Sequence, residues 1–125
     1  MRFSHRNLKA YQRALEFIVA SDDVVEQLPP GRGYIAKQLR RAAFSIVLNI
    51  AEGYGEFSRG EKARFYRMAR RSATECAACL DVCLKLELVS PETVDNTKKI
   101  LVSVLKMLVG LIKRHAQTDA EDLSD

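Results

Sequence analysis

Apolar residues recur at spacings of three and four along almost the whole chain, and no segment alternates between apolar and polar residues. The first pattern is typical of amphipathic helices, whereas alternation would indicate half-buried strands. The helical pattern is interrupted by the prolines and glycines of residues 28–33, by the glycines of residues 53–55 and by Pro91, because such residues end or begin helices. The sequence therefore predicts an all-α protein with helices at residues 8–27, 34–52, 59–86 and 91–115.

Polar residues stand where helix N-caps are expected. Asn7 precedes the first helix, and Ser58 precedes the third with Glu61 at capping-box spacing. Ser90 precedes Pro91 at the start of the fourth helix. Four helices of this length with short connections fold most simply as an antiparallel up-down-up-down bundle. We assign residues 1–115 to this bundle and residues 116–125 to an acidic, disordered tail.

The apolar faces of the first two helices differ in width. The first helix has a single stripe, formed by Leu8, Tyr11, Leu15, Ile18 and Val25. On the second helix, Phe44, Val47 and Leu48 lie outside the main apolar face, so this helix is apolar on more than one side. This pattern predicts a second packed surface, either within a subunit or between subunits.

Length and composition exclude several classes of protein. A chain of 125 residues fits one domain, and 47% hydrophobic residues exclude disorder for most of it. No apolar run approaches the ~18 residues of a membrane-spanning helix, and the amphipathic N-terminus does not resemble a signal peptide. The three cysteines, clustered at residues 76–83, do not form a disulfide framework. We expect a soluble, cytoplasmic protein without contact to a membrane.

Charge is distributed unevenly along the chain, whose net charge is +4. Residues 37–71 hold nine basic and three acidic residues, whereas residues 115–125 hold four acidic residues and neither Lys nor Arg. On the third helix the basic side chains spread over an arc of about 200° opposite the apolar face. Most are arginines, whose planar donors suit phosphate groups. The arc is either a polyanion-binding surface, a set of subunit salt bridges or a solvated helix face.

A polar stripe crosses the otherwise apolar second helix, at Gln38, Arg41, Ser45, Asn49 and Glu52. Such a stripe is either exposed to solvent or hydrogen-bonded across a packed surface. We predict a structural polar network between the second and third helices, formed by Arg41, Ser45, Asn49, Glu52, Ser72 and Glu75.

The remaining chemistry-bearing residues give little support to catalysis or metal binding. Cys76, Cys79 and Cys83 share the apolar face of the third helix, where Cys acts as a small hydrophobic residue. The two histidines lie near the chain ends, so no fourth metal ligand is evident. No phosphate-binding glycine loop, carboxylate pair or nucleophile–His set occurs at a useful spacing. We predict buried, reduced cysteines, no metal, no cofactor, no catalytic residues and no enzymatic activity.

Residues 38–75 strongly resemble the 23S rRNA intervening-sequence proteins, a family also known as S23 ribosomal proteins. The likeness rests on RRAA at 40–43, SI at 45–46, NIAEG at 49–53, an S-x-x-E start at 58–61, RF at 64–65 and A-x-x-S-x-x-E at 69–75. The opening helix at 7–17 is also similar, and the likeness extends over about residues 3–115. Arg71 departs from the family pattern, which commonly has Gly before the Ser.

The resemblance implies a bacterial four-helix bundle that assembles as a ring-like homopentamer. Distantly similar proteins include the accessory variability proteins of diversity-generating retroelements, which bind a reverse transcriptase and nucleic acid. A reverse transcriptase is therefore a candidate partner. The biochemical function of the family is unsettled, and the resemblance assigns no catalytic residue.

Two functional hypotheses follow. The first is a non-enzymatic oligomer that binds RNA or DNA through a set of basic residues: Arg40, Arg41, Arg59, Lys62, Arg64, Arg67, Arg70 and Arg71. The second is a protein-interaction scaffold whose arginines form salt bridges with subunits or partners. The dependence of nucleic-acid binding on ionic strength distinguishes the two hypotheses, because nucleic-acid affinity falls steeply as the salt concentration rises. A scaffold would have no such affinity to lose.

Overall fold

The computed structural model describes the backbone of residues 4–123 and the side-chain surroundings of residues 4–116. A short 3-10 turn, Ser4–Asn7, is followed by four helices: α1 Lys9–Gln27, α2 Gly33–Gly55, α3 Arg59–Lys85 and α4 Pro91–Leu123. No strand occurs between residues 4 and 123. The prediction of an all-α protein with four helices is confirmed.

Helix α4 continues past the end that the sequence predicts at residue 115, and reaches Leu123. No Pro or Gly lies between residue 116 and Leu123 to interrupt the helix. The predicted boundary is therefore wrong for the backbone. The side chains of residues 117–125 lie outside the described part, so the acidic, disordered tail stays a prediction for them.

The helix starts agree with two of the predicted N-caps. Ser58 Oγ accepts a hydrogen bond from the Glu61 N–H at 3.0 Å, and Ser90 Oγ accepts one from the Thr93 N–H at 3.2 Å. Asn7 is not a cap, because it belongs to the 3-10 turn and α1 has no side-chain cap at all. The turn itself positions the start of α1, since the Leu8 N–H donates to the His5 carbonyl at 3.0 Å.

The buried face of α1 lies beside the stripe that the sequence predicts. Its members are mostly small: Ala10, Ala14, Phe17, Ser21 and Val24. Leu15 is exposed, and the other four predicted residues are only half-buried. The prediction followed the larger apolar side chains. The tightly packed contact is instead made mostly by small residues, and four of the larger side chains pack against its edge.

The core lies between the four helices and includes large side chains from each of them. Phe17, Leu39, Tyr66 and Leu108 are almost fully buried, one from each helix in chain order. Contacts along α3 and α4 fix how these two helices lie side by side. The Tyr66 ring lies 5.8 Å from the His115 ring, centroid to centroid, whereas Asp81 pairs with Lys98.

Helices α2 and α3 are in close contact at Gly53. A Cβ atom at this position would lie 2.8 Å from Tyr66 Cε1 and 3.1 Å from Phe65 Cβ. Only a residue without a side chain fits such a contact without displacing the buried tyrosine. The close approach holds the first half of α3, which carries most of the basic residues, against α2.

Candidate nucleic-acid interface

The first half of α3 separates apolar from basic side chains as the sequence predicts. Its buried face begins with Ala63, Tyr66 and Ala69. Five arginines on the rest of the helix surface are exposed: Arg59, Arg64, Arg67, Arg70 and Arg71. Their surroundings differ, and the differences decide which of them are available to bind an anion.

Arg67, Arg70 and Arg71, which we call the arginine cluster, have no ion pair within the described residues. Arg67 lies three residues before Arg70 and four before Arg71, so its side chain neighbours both of theirs on the helix surface, with Cβ atoms about 5–6 Å apart. Like charges at these spacings destabilise a helix by about 0.2–0.5 kcal/mol per pair. A bound polyanion would relieve this repulsion.

Arg64 is already engaged within its own helix. Its Nη2 donates to Glu61 Oε2 at 2.9 Å, and its guanidinium lies 4.5 Å from the centroid of the Phe65 ring. The hydrogen bond from Arg64 lowers the pKa of the Glu61 carboxyl. Arg64 would have to leave this pair to bind a phosphate with its full donor set.

Lys62 is directed towards the end of α2 and not towards solvent. Its Nζ donates to the Tyr54 carbonyl at 2.7 Å and to the Gly53 carbonyl at 3.4 Å. The ammonium also lies 5.5 Å from the centroid of the Tyr54 ring. The end of a helix leaves its last carbonyl groups without a partner in the helix, and Lys62 supplies a donor to two of them, of which the Gly53 carbonyl also accepts from the Glu56 N–H. Lys62 of α3 therefore caps the end of α2 through its side chain, which its position on the helical wheel does not reveal.

Arg40 and Arg41 lie on α2, and the arginine cluster lies on α3. Arg40 Nε lies 3.8 Å from Asp22 Oδ1 on α1, and Arg41 has no ion pair within the described residues. Both line a cleft of about 370 Å³ between α1 and α2, beside Ile18 and Phe44. The structure thus gives Arg40 an acidic neighbour on α1 and places both arginines beside apolar side chains.

The outer surface of α2 is apolar where these arginines lie. Phe44 is 59% exposed and Leu48 is 49% exposed, and they are four residues apart on one face. Leu15 and Val19 are also exposed on α1. Val47, which the sequence groups with Phe44 and Leu48, is instead buried in the core. The exposed residues leave an apolar surface, which we call the α1/α2 patch.

The predicted polar network is smaller than expected. Ser72 Oγ donates to Ser45 Oγ at 2.9 Å, and Asn49 Nδ2 donates to the same oxygen at 3.0 Å and to the Ser45 carbonyl at 2.9 Å. Glu75 is outside this group and accepts a hydrogen bond from Gln38 Nε2 at 3.3 Å. Arg41 and Glu52 are exposed. Ser45 thus connects Asn49 of α2 with Ser72 of α3.

The cysteines belong to the packed side of α3. Cys76 and Cys83 are buried, and Cys79 is half-buried. Burial raises the pKa of the Cys76 thiol to about 12, and it raises the pKa of the other two thiols as well. Thiols with raised pKa values are poor nucleophiles at neutral pH. Among the described residues, no three His, Cys, Asp or Glu side chains are placed to hold a metal ion.

Within residues 4–123, none of the helices combines the length and the apolar character needed to cross a bilayer.

Comparison with solved structures identifies a protein of the same fold. It is a protein of unknown function from the S23 ribosomal protein family of Bacteroides thetaiotaomicron VPI-5482, whose crystal structure was determined at 1.70 Å resolution. The two superpose with a TM-score of 0.76 at 24% sequence identity, over 83% of this chain and 98% of that chain. At this identity the likeness concerns the fold. No curated protein matches the chain.

The family assignment rests on the sequence itself. The sequence model of the family described as 23S rRNA-intervening sequence protein matches residues 6–110. This range contains α1, α2, α3 and most of α4, and therefore both groups of arginines. The chain belongs to the family of 23S rRNA-intervening sequence proteins.

Proposed function

We propose that this protein is a non-enzymatic nucleic-acid-binding protein whose main phosphate-binding residues are Arg67, Arg70 and Arg71. The observation that carries the proposal is their environment: all three are exposed, adjacent and without an ion pair in the described residues. A helix under such like-charge repulsion gains from a polyanion, and guanidinium groups bind phosphate oxygens through paired donors. The family description, which names an rRNA-intervening sequence, supports RNA as the first ligand to test.

We further propose that four helices alternating in direction form one subunit of a ring-like homopentamer. Two contacts support opposite directions for α3 and α4: Tyr66 lies by His115 and Asp81 by Lys98. The α1/α2 patch supports assembly, because exposed apolar surface of this kind marks protein contacts. Assembly also multiplies the positive charge presented to a nucleic acid, and affinity grows with the number of phosphates neutralised.

The binding proposal is tested with two variants that lose the same charge. In the first, Arg67, Arg70 and Arg71 are replaced by Ala; in the control, Lys85, Lys99 and Lys106 are replaced by Ala. We expect the arginine variant to lose affinity for a short labelled RNA and to flatten the slope of log K against log salt by up to about 2, since each phosphate contributes about 0.7 for single strands. The control should keep most of the slope. Equal losses in both variants would contradict a local site.

Assembly is tested by light scattering. We expect the wild type to have about five times the 14.1 kDa mass of one chain. Replacing Phe44 and Leu48 by Gln should reduce this mass, whereas the same change at Val82 and Val102, which are also exposed, should leave it unaltered. A wild-type mass equal to one chain would contradict the assembly.

The alternative is a protein-interaction scaffold whose arginines pair with acidic residues of other subunits or of a partner such as a reverse transcriptase. Arg40 lies 3.8 Å from Asp22 of its own chain, which shows that arginines of this surface can pair with carboxylates. If the scaffold is correct, the arginine variant should dissociate into smaller species, and the wild type should have no affinity for RNA that salt can remove.

A further inference from the structure

The connection between α2 and α3 presents an aromatic side chain to solvent. Phe57 is 102% exposed, more than any other large hydrophobic residue in the described part of the chain. Burying a Phe side chain is one of the larger apolar contributions to folding, and Phe57 makes no such contribution to its own chain. The ring is therefore available to a ligand or a partner.

The backbone on both sides of Phe57 is held in place. The Glu56 N–H donates to the Gly53 carbonyl at 3.3 Å, at the end of α2. Ser58 Oγ accepts from the Glu61 N–H at 3.0 Å, at the start of α3. Because the neighbouring residues are fixed, the ring loses little more than its side-chain rotation when it is covered, which lowers the entropic cost of binding.

The helix that follows Phe57 presents positive charge. Arg59 is exposed and has no ion pair among the described residues. Arg70 follows it by eleven residues, about three helical turns, so the two arginines leave α3 on the same side, about 16 Å apart. Glu61, the acidic residue of the first turn, is paired with Arg64. Arg59 therefore extends the arginine cluster towards the α2–α3 connection.

This setting favours a nucleobase over a protein as the group that covers Phe57. The core of a protein interface is depleted in charged residues, whereas residues 55–62 contain four charged residues and no other aliphatic or aromatic residue. A stacked base needs the face of one aromatic ring, with a cation near its phosphate. Bases inside a duplex are already stacked, so the ring can cover only an unpaired base.

We propose that Phe57 stacks on an unpaired base, and that the nucleic acid bound by this protein is single-stranded where it passes the α2–α3 connection. Arg59 and the arginine cluster bind phosphates of the same strand. The helix from Arg59 to Arg71 is about 18 Å long, which about five nucleotides cover at a spacing of about 3.4 Å. The inference rests on the proposed function and deepens it, because it names the class of nucleic acid.

The first test separates base stacking from phosphate binding. Phe57→Ala removes a ring and no charge, so we expect its affinity for a short labelled single-stranded RNA to fall about tenfold, the effect of losing one stacked base. The slope of log K against log salt should stay that of the wild type, because no phosphate contact is lost. Inorganic polyphosphate, which has phosphates and no bases, should bind the wild type and the variant equally.

The matched control is Tyr34→Ala. Tyr34 is also an exposed aromatic residue, at 61%, and it lies at the opposite end of α2, about 30 Å from the connection. We expect this variant to keep the RNA affinity of the wild type. Both variants should melt at the wild-type temperature, since exposed side chains contribute little to folding.

A second measurement detects the contact itself. The chain contains no Trp, so Phe57→Trp introduces a single indole whose ring can still stack on a base. We expect single-stranded RNA to quench its fluorescence, and polyphosphate and duplex RNA to leave it unchanged. The fluorescence of Tyr34→Trp should respond to none of the three. Equal quenching by single-stranded and duplex RNA would overturn the proposal.

The remaining outcomes separate this inference from the proposed function. If the wild type binds RNA and Phe57→Ala binds it equally tightly, the stacking is wrong and the arginine cluster keeps its role. If neither protein binds RNA, both proposals fail. If Phe57→Ala has a smaller mass than the wild type by light scattering, Phe57 belongs to a contact between copies of the chain, and the stacking is overturned.

Discussion

Gly53 is the residue at which α2 and α3 leave no room for a side chain. We expect Gly53→Ala to lower the free energy of unfolding by about 1–2 kcal/mol, because overpacking against a buried ring forces neighbouring atoms to move. Gly110→Ala is the matched control: nothing lies within 4 Å of its would-be Cβ, and Ala is favoured over Gly within a helix by about 0.5–1 kcal/mol. Thermal unfolding of both variants checks the prediction. A stabilised Gly53→Ala variant would show that the contact is looser than it looks.

Ser45 connects three polar groups between α2 and α3. Ser45→Ala removes the hydroxyl that accepts from Ser72 and Asn49; Asn49 keeps the Ser45 carbonyl, but the buried Ser72 hydroxyl loses its partner at a cost of about 1–3 kcal/mol. Asn49→Ala removes one donor and leaves the Ser72–Ser45 bond in place. We therefore expect Ser45→Ala to unfold at a lower denaturant concentration than Asn49→Ala. If Asn49→Ala unfolds at the lower denaturant concentration, the hydrogen bonds of Asn49 contribute more to stability than the Ser72–Ser45 bond.

The buried Cys76 thiol makes stability depend on pH in the alkaline range. Its pKa rises from an ordinary 9.0 to about 12, so the folded chain keeps a proton that the unfolded chain loses between these values. The contribution of the neutral thiol to stability is complete below about pH 9 and is lost as pH rises towards 12. We expect the Cys76→Ala variant to lose stability less steeply than the wild type between these pH values. Parallel curves would mean that the thiol ionises as it does in the unfolded chain.

Two residues show what sequence reasoning misses at this scale. The helical wheel assigns Lys62 to the basic face, but a long flexible side chain reaches carbonyl groups that the wheel does not contain. The predicted network joins Glu75 to Ser45, Asn49 and Ser72, but Glu75 is hydrogen-bonded to Gln38 instead. Pairing across helices depends on their register, and periodicity in one helix carries no information about that register.

At the scale of helices, Lys62 has a structural role at the end of α2, whereas the arginine cluster is proposed to bind nucleic acid. We expect Lys62→Met to lower the free energy of unfolding by about 0.5–1.5 kcal/mol, because two carbonyl groups at the end of α2 lose a donor. Its effect on RNA affinity should be smaller than that of Arg67→Ala, although both changes remove one positive charge. Unfolding and binding are measured on the same two variants. A Lys62→Met protein of normal stability and reduced RNA affinity would show that Lys62 belongs to the binding surface.

The helices themselves were largely predictable. Their number follows from the helical period and its breaks, and Ser58 and Ser90 cap the helices that they were expected to cap. The N-cap of α1 and the end of α4 were not predicted correctly, since Asn7 belongs to the 3-10 turn and no Pro or Gly lies between residue 116 and Leu123. The buried face of α1 was also missed, because large apolar residues flank a contact made by Ala10 and Ala14.

At the scale of the molecule, the sequence indicates a basic surface, but only the structure divides it into residues with different tasks. Arg40 and Arg64 have acidic neighbours, Lys62 caps a helix, and the arginine cluster has no such partner in the described residues. Sequence alone cannot make this division, because the partners lie on other helices or depend on side-chain conformation. The account therefore predicts that few residues produce most of the affinity.

The salt dependence of RNA binding by the wild-type protein tests the proposed nucleic-acid binding most directly. A short labelled RNA is titrated with the protein, and its fluorescence anisotropy is followed at salt concentrations from about 50 to 200 mM. Three arginine–phosphate contacts predict that log K falls linearly with log salt, with a slope of about −2 or steeper. Absence of binding at the lowest salt, or an affinity that does not change with salt, would contradict the account.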